Sequence, residues 1–185
     1  MSHLMIRSLS YVCINVYAPN SPADRVNTWK DLALSIQHCM SLQIWESARI
    51  LLCGDINMVD SDTDSTTTSV MSSQKSIIWG EILNMLNCRD LWGYIGGHTL
   101  RFTYHSRSHK KAMSKLDRCY YSQVSTLNGA SKMWVDATML LSNHNPLLVS
   151  INEVDWSSCI PFNLPRIPLR VNHSWMQTSL FKSKV

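Results

Sequence analysis

Arg49-Ile50-Leu51-Leu52-Cys53-Gly54-Asp55-Ile56-Asn57-Met58-Val59 is the stretch on which the reading of this chain turns. The continuous apolar run from Ile50 to Cys53 has the composition of a buried strand. It stops at Gly54 and then presents Asp55 and Asn57 with one residue between them. If strand geometry persists, both side chains point to one face. A carboxylate and an amide at the end of a rigid strand suit hydrolytic chemistry: the first can orient or deprotonate water, and the second can hold an anionic oxygen without adding negative charge. Gly-Asp-X-Asn is also an ordinary turn, so the rest of the chain has to separate the two readings.

A length of 185 residues suits one domain with a sizeable core. Hydrophobic content of 45% with 16% charged residues describes a globular chain. The net charge of +4 permits nucleic acid as a partner without demanding it. Basic residues concentrate only at Arg101, Arg107, Lys110, Lys111, Lys115 and Arg118, which read as a solvated loop. The six cysteines stand singly, with no Cys-X-X-Cys pair. A zinc site or disulfide framework is therefore not expected, and a reducing intracellular setting fits. Neither a signal-peptide core nor a membrane-length apolar run is expected.

Working outward, Tyr11 to Tyr17 is β-branched and aromatic and reads as a strand buried on both faces. Ser21-Pro22-Ala23-Asp24 then supplies an N-cap, a proline at the first helical position and an acid at the capping-box site. Trp29, Leu32, Ile36, Cys39 and Met40 follow at helical spacing, which predicts a helix over 22–44 lying on a sheet. Asp60 to Ser76 offers almost nothing to bury and reads as an exposed loop. A second helix begins near Ser76 with Ile78, Ile82, Met85 and Leu86. Short strands are expected at Asp90 to Trp92, Arg101 to His105, Leu116 to Tyr121 and Leu147 to Ile151. The order implies a layered α/β sandwich that need not be a single parallel sheet. From Asn152 onward, Pro161, Pro165 and Pro168 mark a linker, with a short helix expected over His173 to Lys182.

Four segments carry the chemistry in order: Asn15-Val16-Tyr17-Ala18-Pro19-Asn20, Gly54-Asp55-Ile56-Asn57, Ser114-Lys115-Leu116-Asp117-Arg118 and Ser142-Asn143-His144-Asn145-Pro146. Together they resemble the endonuclease/exonuclease/phosphatase superfamily, and more narrowly the abasic-site-type endonuclease domain of LINE (non-LTR) retrotransposons. Phe102-Thr103-Tyr104-His105, Leu116-Asp117-Arg118-Cys119-Tyr120 and the exit from Pro168 to Lys182 narrow the resemblance. It covers roughly residues 10 to 182.

The resemblance implies a Mg²⁺-dependent DNA phosphodiester cleavage, nuclear if active. In it Asp55 activates water, Asn57 holds the site and the phosphate, and Tyr17 and Asn20 lie beside the phosphate. Asp117 orients a catalytic side chain, and His144 is a general acid or electrostatic partner. Read alone, Tyr17 and Asn20 are also plain strand-end and turn residues, Asp117 with Arg118 an ion pair, and His144 a structural histidine. Two departures stand out. Asn143 occupies the place of the acid in the family's Ser-Asp-His. The family's metal-binding glutamate, which precedes the Tyr-Pro-Asn segment, has no counterpart ahead of Tyr17; the glutamates are Glu46, Glu81 and Glu153. No metal ligand is therefore assigned.

The expectation is a partial domain over 1–152, truncated at its N-terminus with strands missing and a sheet edge exposed, followed by a linker over 153–185 toward an absent reverse transcriptase. Its function reads as that of a retrotransposon-derived endonuclease fragment with activity lost or strongly reduced. The alternatives are a non-catalytic remnant with at most weak nucleic-acid binding, or another phosphodiesterase of the superfamily.

Overall fold

A computed structural model describes residues 2–6, 9–41, 45, 47–67, 73–96, 102–106, 112–138 and 142–152. All belong to one compact unit, Met1–Val154. The expected linker and its short helix lie outside the described residues. The strands are β1 (Ser2–Ile6), β2 (Leu9–Tyr17), β3 (Arg49–Asp55), β4 (Arg89–Asp90), β5 (Tyr104–His105), β6 (Met113–Ser114), β7 (Asp117–Tyr121), β8 (Lys132–Val135) and β9 (Leu147–Ser150). The helices are α1 (Pro22–Met40), α2 (Ser73–Met85) and α3 (Trp92–Ile95). The main sheet runs β1-β2-β3-β7-β4, and β5-β6 and β8-β9 form separate pairs. Only β2 and β3 are parallel within the main sheet, because α1 carries the chain back between them.

Local chemistry explains these elements. Ser21 caps α1 by accepting from the Asp24 amide at 3.5 Å, with Pro22 at the first turn. Trp29 and Ile36 of α1 and Trp79 and Ile82 of α2 bury their side chains in one cluster with Val12, Ile14, Val16, Ile50, Leu52 and Tyr120. The alternate residues face the other way, where Leu91, Cys119, Tyr121 and Met133 pack with Leu51, Cys53, Leu147 and Val149. Helices therefore cover one face of the sheet and the β8-β9 hairpin the other, a layered α/β sandwich. The described cysteines are all free thiols, and burial pushes Cys53 up to about 11 and Cys88 up to about 12. Among the described residues, no helix is long and apolar enough to cross a membrane.

Several expectations need correction. β2 is buried on its helix side only: Asn15 and Tyr17 are exposed, Tyr17 by 74%. The hairpin-side cluster reaches Tyr11 and stops short of the strand's end. α1 ends at Met40, itself exposed, where Ser41 donates its amide to the His38 carbonyl. The strand expected through Trp92 ends at Asp90, because the Asp90 carboxylate accepts from the Trp92 amide at 2.9 Å and starts α3. β1, β6 and β8 were not anticipated. β1 pairs along its whole length with the first part of β2, from Cys13 back to Leu9.

The 60–76 stretch is not simply a solvated loop. Asp64 is buried and bonded to Arg118 at 2.8 Å. Lys115 and Arg118 in the basic run are likewise buried, with Lys115 on Asp90 at 2.9 Å. Neighbouring strand residues face opposite sides, so Arg118 points away from Asp117 and the ion pair read between them does not form.

Gly54 is required where β3 meets the site. Its φ is +133°, and a Cβ there would stand 1.9 Å from the Val16 carbonyl oxygen. The obstacle is paired backbone, which cannot swing aside. Gly54→Ala is expected to cost about 1–3 kcal/mol in backbone strain, with overpacking of about the same size added. Urea unfolding of the variant checks this.

Candidate active site

Three adjacent strands end in one row. Tyr17 of β2 is in register with Asp55 of β3, and Asp55 with Asp117 of β7. Register partners share a face, and this row lies on the hairpin side of the sheet. The connection from β8 to β9 carries His144 onto it. His144 Nδ1 donates to Asp117 Oδ2 at 2.7 Å, and its Nε2 lies 3.8 Å from Asp55 Oδ2. The ligand atoms of Asp55, Asp117 and His144 all fall within 4.8 Å of one another. Residues separated by up to 89 positions thus meet because the sheet aligns two and a hairpin loop delivers the third.

Asp55 and Asn57 come together by a turn, not by strand alternation. The strand stops at Asp55, and Asn57 takes φ +51°, a conformation asparagine tolerates better than most residues. The Asn57 amide N–H donates to Asp55 Oδ1 at 2.9 Å. Its side-chain Nδ2 donates to the Ala18 carbonyl at 2.7 Å and lies 3.4 Å from Asp55 Oδ2. The turn reading is therefore correct, and the turn sets the Asn57 side chain against Asp55. Asn57 locks Asp55 and ties the end of β3 to the loop after β2, which the Ala18 amide reinforces by donating to the Asp55 carbonyl at 2.8 Å.

The other expected residues lie around this row. Asn20 is exposed, and its carbonyl accepts from Arg25 at 3.0 Å. Asn143 is half-buried, and its side-chain oxygen has no hydrogen-bond partner. It is not in the three-residue cluster. Two neighbours carried no assigned role in the sequence. The Tyr104 ring stands edge-on to His144, with centroids 5.0 Å apart. Arg25, buried in the first turns of α1, adds a positive charge that acts on Asp55. Its place five residues after Asn20, on the helix that starts there, was the available signal.

The electrostatics favour proton chemistry. Burial, then repulsion from Asp117, raises the Asp55 carboxyl, against the opposing pull of the Asn57 amide, His144 and Arg25. The hydrogen bond that His144 donates to Asp117 raises His144; burial opposes it, and the Asp117 and Asp55 charges add to it. A carboxylate shifted toward neutrality beside an imidazole shifted toward its protonated form is a base next to an acid.

No family model matches the sequence, and no curated protein matches it. Solved structures do. The 3′ phosphatase NExo from Neisseria, bound to product DNA hairpin, is 17% identical with a TM-score of 0.62, over 81% of this chain and 63% of that one. An AP endonuclease from Archaeoglobus fulgidus is 15% identical with a TM-score of 0.61, over 81% and 64%. The chain has the endonuclease/exonuclease/phosphatase fold. The endonuclease domain of TRAS1, a telomere-specific non-LTR retrotransposon, shares this fold at 14% identity and a TM-score of 0.55, over 82% and 60%. The chain spans less than two thirds of the length of these structures. Within the endonuclease/exonuclease/phosphatase fold, the Asp55–Asp117–His144 cluster sits where three strands of the main sheet end.

Proposed function

We propose that this chain carries the phosphodiester-cleaving centre of a retrotransposon-type, Mg²⁺-dependent DNA endonuclease, with turnover strongly reduced. The observation that carries the reading is the convergence of Asp55, Asp117 and His144 on one row, linked by the 2.7 Å Asp117–His144 bond. The similar structures, one of them bound to product DNA, support DNA as the substrate class.

The residues present fit a divalent cation in part. Two carboxylates close enough for Asp117 to raise Asp55 form a region that a cation would relieve, and their oxygens suit Mg²⁺. Asp55 and Asp117 would hold it. When bound, the ion supplies charge neutralisation for the phosphate and the departing oxygen. Asp55 orients and deprotonates the attacking water. His144, whose protonated form Asp117 favours, presents an N–H to the phosphate as electrostatic partner or acid. Asn57 holds Asp55 in place, and Tyr17 offers an exposed hydroxyl at the mouth of the row.

The reduction in turnover follows from charge. Asn143 brings no carboxylate. Among the described residues the one glutamate, Glu81, is exposed on α2. Plasmid nicking in Mg²⁺, with an EDTA control and Asp55→Ala, tests the proposal. Slow nicking that EDTA and the variant both abolish is expected. Nicking that survives EDTA, or that Asp55→Ala leaves intact, would overturn it. Asn143→Asp should raise the rate by less than about tenfold, the low end of what a supporting group contributes. A larger gain would show that Asn143 is the main defect.

A further inference from the structure

We infer that Thr103 is a positioning residue that sets the Asp117–His144 pair, its hydroxyl holding the backbone of Asp117 while its carbonyl holds the residue after His144. The inference rests on the reading of that pair as part of the active site.

Asp117 and His144 are 27 residues apart and sit on different layers. A 2.7 Å hydrogen bond between them needs both backbones fixed to within a few tenths of an ångström. β3 fixes one side of Asp117 through the Asp55–Asp117 register. The fixing on the other side comes from Thr103, which is fully buried. Thr103 Oγ1 accepts from the Leu116 amide at 3.1 Å and the Asp117 amide at 2.9 Å. A hydroxyl oxygen has two acceptor sites, and both are filled by the segment that carries Asp117. The Thr103 amide donates to the Ser114 carbonyl at 3.0 Å.

The same residue reaches the histidine loop. The Thr103 carbonyl accepts from the Asn145 amide at 2.7 Å. The next two residues continue the contact: Tyr104 forms a bridge with His144 and packs its ring edge against the imidazole. The His105 amide donates to the Asn143 carbonyl at 2.9 Å, and His105 Nε2 accepts from Asn145 Nδ2 at 2.8 Å. Both neighbours of His144 are therefore held by Thr103 and the short strand that follows it. Among the contacts of this strut, the two bonds into Thr103 Oγ1 are the ones a side-chain substitution can remove without altering backbone pairing.

Thr103→Val keeps the branched shape and removes the acceptor. Thr103→Ser keeps the acceptor and removes a methyl group. The readouts are the downfield proton resonance of the His144 Nδ1–H bonded to Asp117, the melting temperature, and the nicking rate at saturating DNA. Asp117→Asn identifies the resonance by weakening it. Thr103→Val should lose the resonance and lower kcat by about 10²-fold, the scale of a small misplacement, with KM little changed. Thr103→Ser should retain both. A Thr103→Val protein that melts earlier yet keeps the resonance would make the role merely structural and overturn the inference. A folded Thr103→Ser protein without the resonance would overturn it as well, whether or not the valine variant folds. The resonance needs no catalysis, so failure of the nuclease reading leaves this test standing.

Discussion

Arg118→Met is expected to lower the free energy of unfolding by about 3–5 kcal/mol, the usual cost of breaking a buried ion pair by removing one partner. Arg118 is 1% exposed and bonds Asp64 at 2.8 Å and Asp90 at 3.0 Å. Methionine fills much of the same volume but leaves Asp64, only 7% exposed, without its counter-charge. Lys115 shares Asp90 at 2.9 Å and cannot take over Asp64's contact with Arg118 without moving. Adding Asp64→Asn should recover part of the loss, because an amide is cheaper to bury unpaired than a carboxylate. A double-mutant cycle by denaturant unfolding measures the coupling.

The pH dependence has a definite sign. Burial alone would raise the Asp64 carboxyl, but the charge and hydrogen bond of Arg118, with Lys115 and Ser61, outweigh it and hold the group below its ordinary value. The folded pKa thus lies under the unfolded one. Stability from this pair is complete above the unfolded carboxyl value and is lost as pH falls through the folded one. Below about pH 4, the ordinary carboxyl range, wild type should lose stability more steeply than Arg118→Met, which keeps only the smaller contributions of Lys115 and Ser61. Equal acid slopes would contradict the role given to Arg118.

Asp117→Asn is expected to reduce Mg²⁺-dependent nicking by up to about 10⁴-fold, the scale of the same acid-to-amide change beside the histidine of serine proteases. The variant keeps a hydrogen-bonding group near His144 Nδ1 but loses the charge that stabilises the imidazolium. His144 should therefore titrate lower than in wild type, where the Asp117 hydrogen bond raises it. For stability, a folded histidine pKa above the unfolded one contributes fully below the unfolded value and is lost as pH rises through the folded value. The stability gap between wild type and Asp117→Asn should accordingly be widest in mild acid and close at alkaline pH. Nicking by wild type should fall as pH rises past His144. It should also fall in acid from a higher pH than an ordinary carboxylate would give, because burial and then Asp117 raise Asp55. Histidine resonances followed across pH in both proteins check the assignment.

The ends of the site were more legible in the sequence than the frame that holds them. Asp55, Asp117 and His144 each lie in a short segment whose residue types announce polar chemistry at a strand end or loop. Their meeting needed the order of strands in the sheet, which no local pattern encodes. Asn57 was readable as a turn residue or as a site residue, and its φ of +51° with its bonds to Asp55 and Ala18 shows the turn. Arg118 was misjudged because pairing with its sequence neighbour is the local reading, whereas strand alternation sends it to Asp64 and Asp90, 54 and 28 residues away. Thr103 stood in the Phe102 to His105 phrase without a role of its own, for a similar reason. A threonine just ahead of a short strand is ordinary, and its contacts are with two amides 13 and 14 residues along the chain. The hairpin that delivers His144 was half visible: β9 was expected from Leu147 onward, while β8 offers only the three-residue apolar run Met133 to Val135, with Lys132 and Trp134 exposed on alternate positions.

Single-turnover cleavage of an end-labelled DNA duplex by excess protein, in Mg²⁺ and in EDTA, tests the three-residue centre most directly. The cluster of Asp55, Asp117 and His144 predicts slow Mg²⁺-dependent strand cleavage that Asp55→Ala and His144→Ala each abolish in protein that remains folded. Cleavage that continues at the wild-type rate in either variant would contradict it.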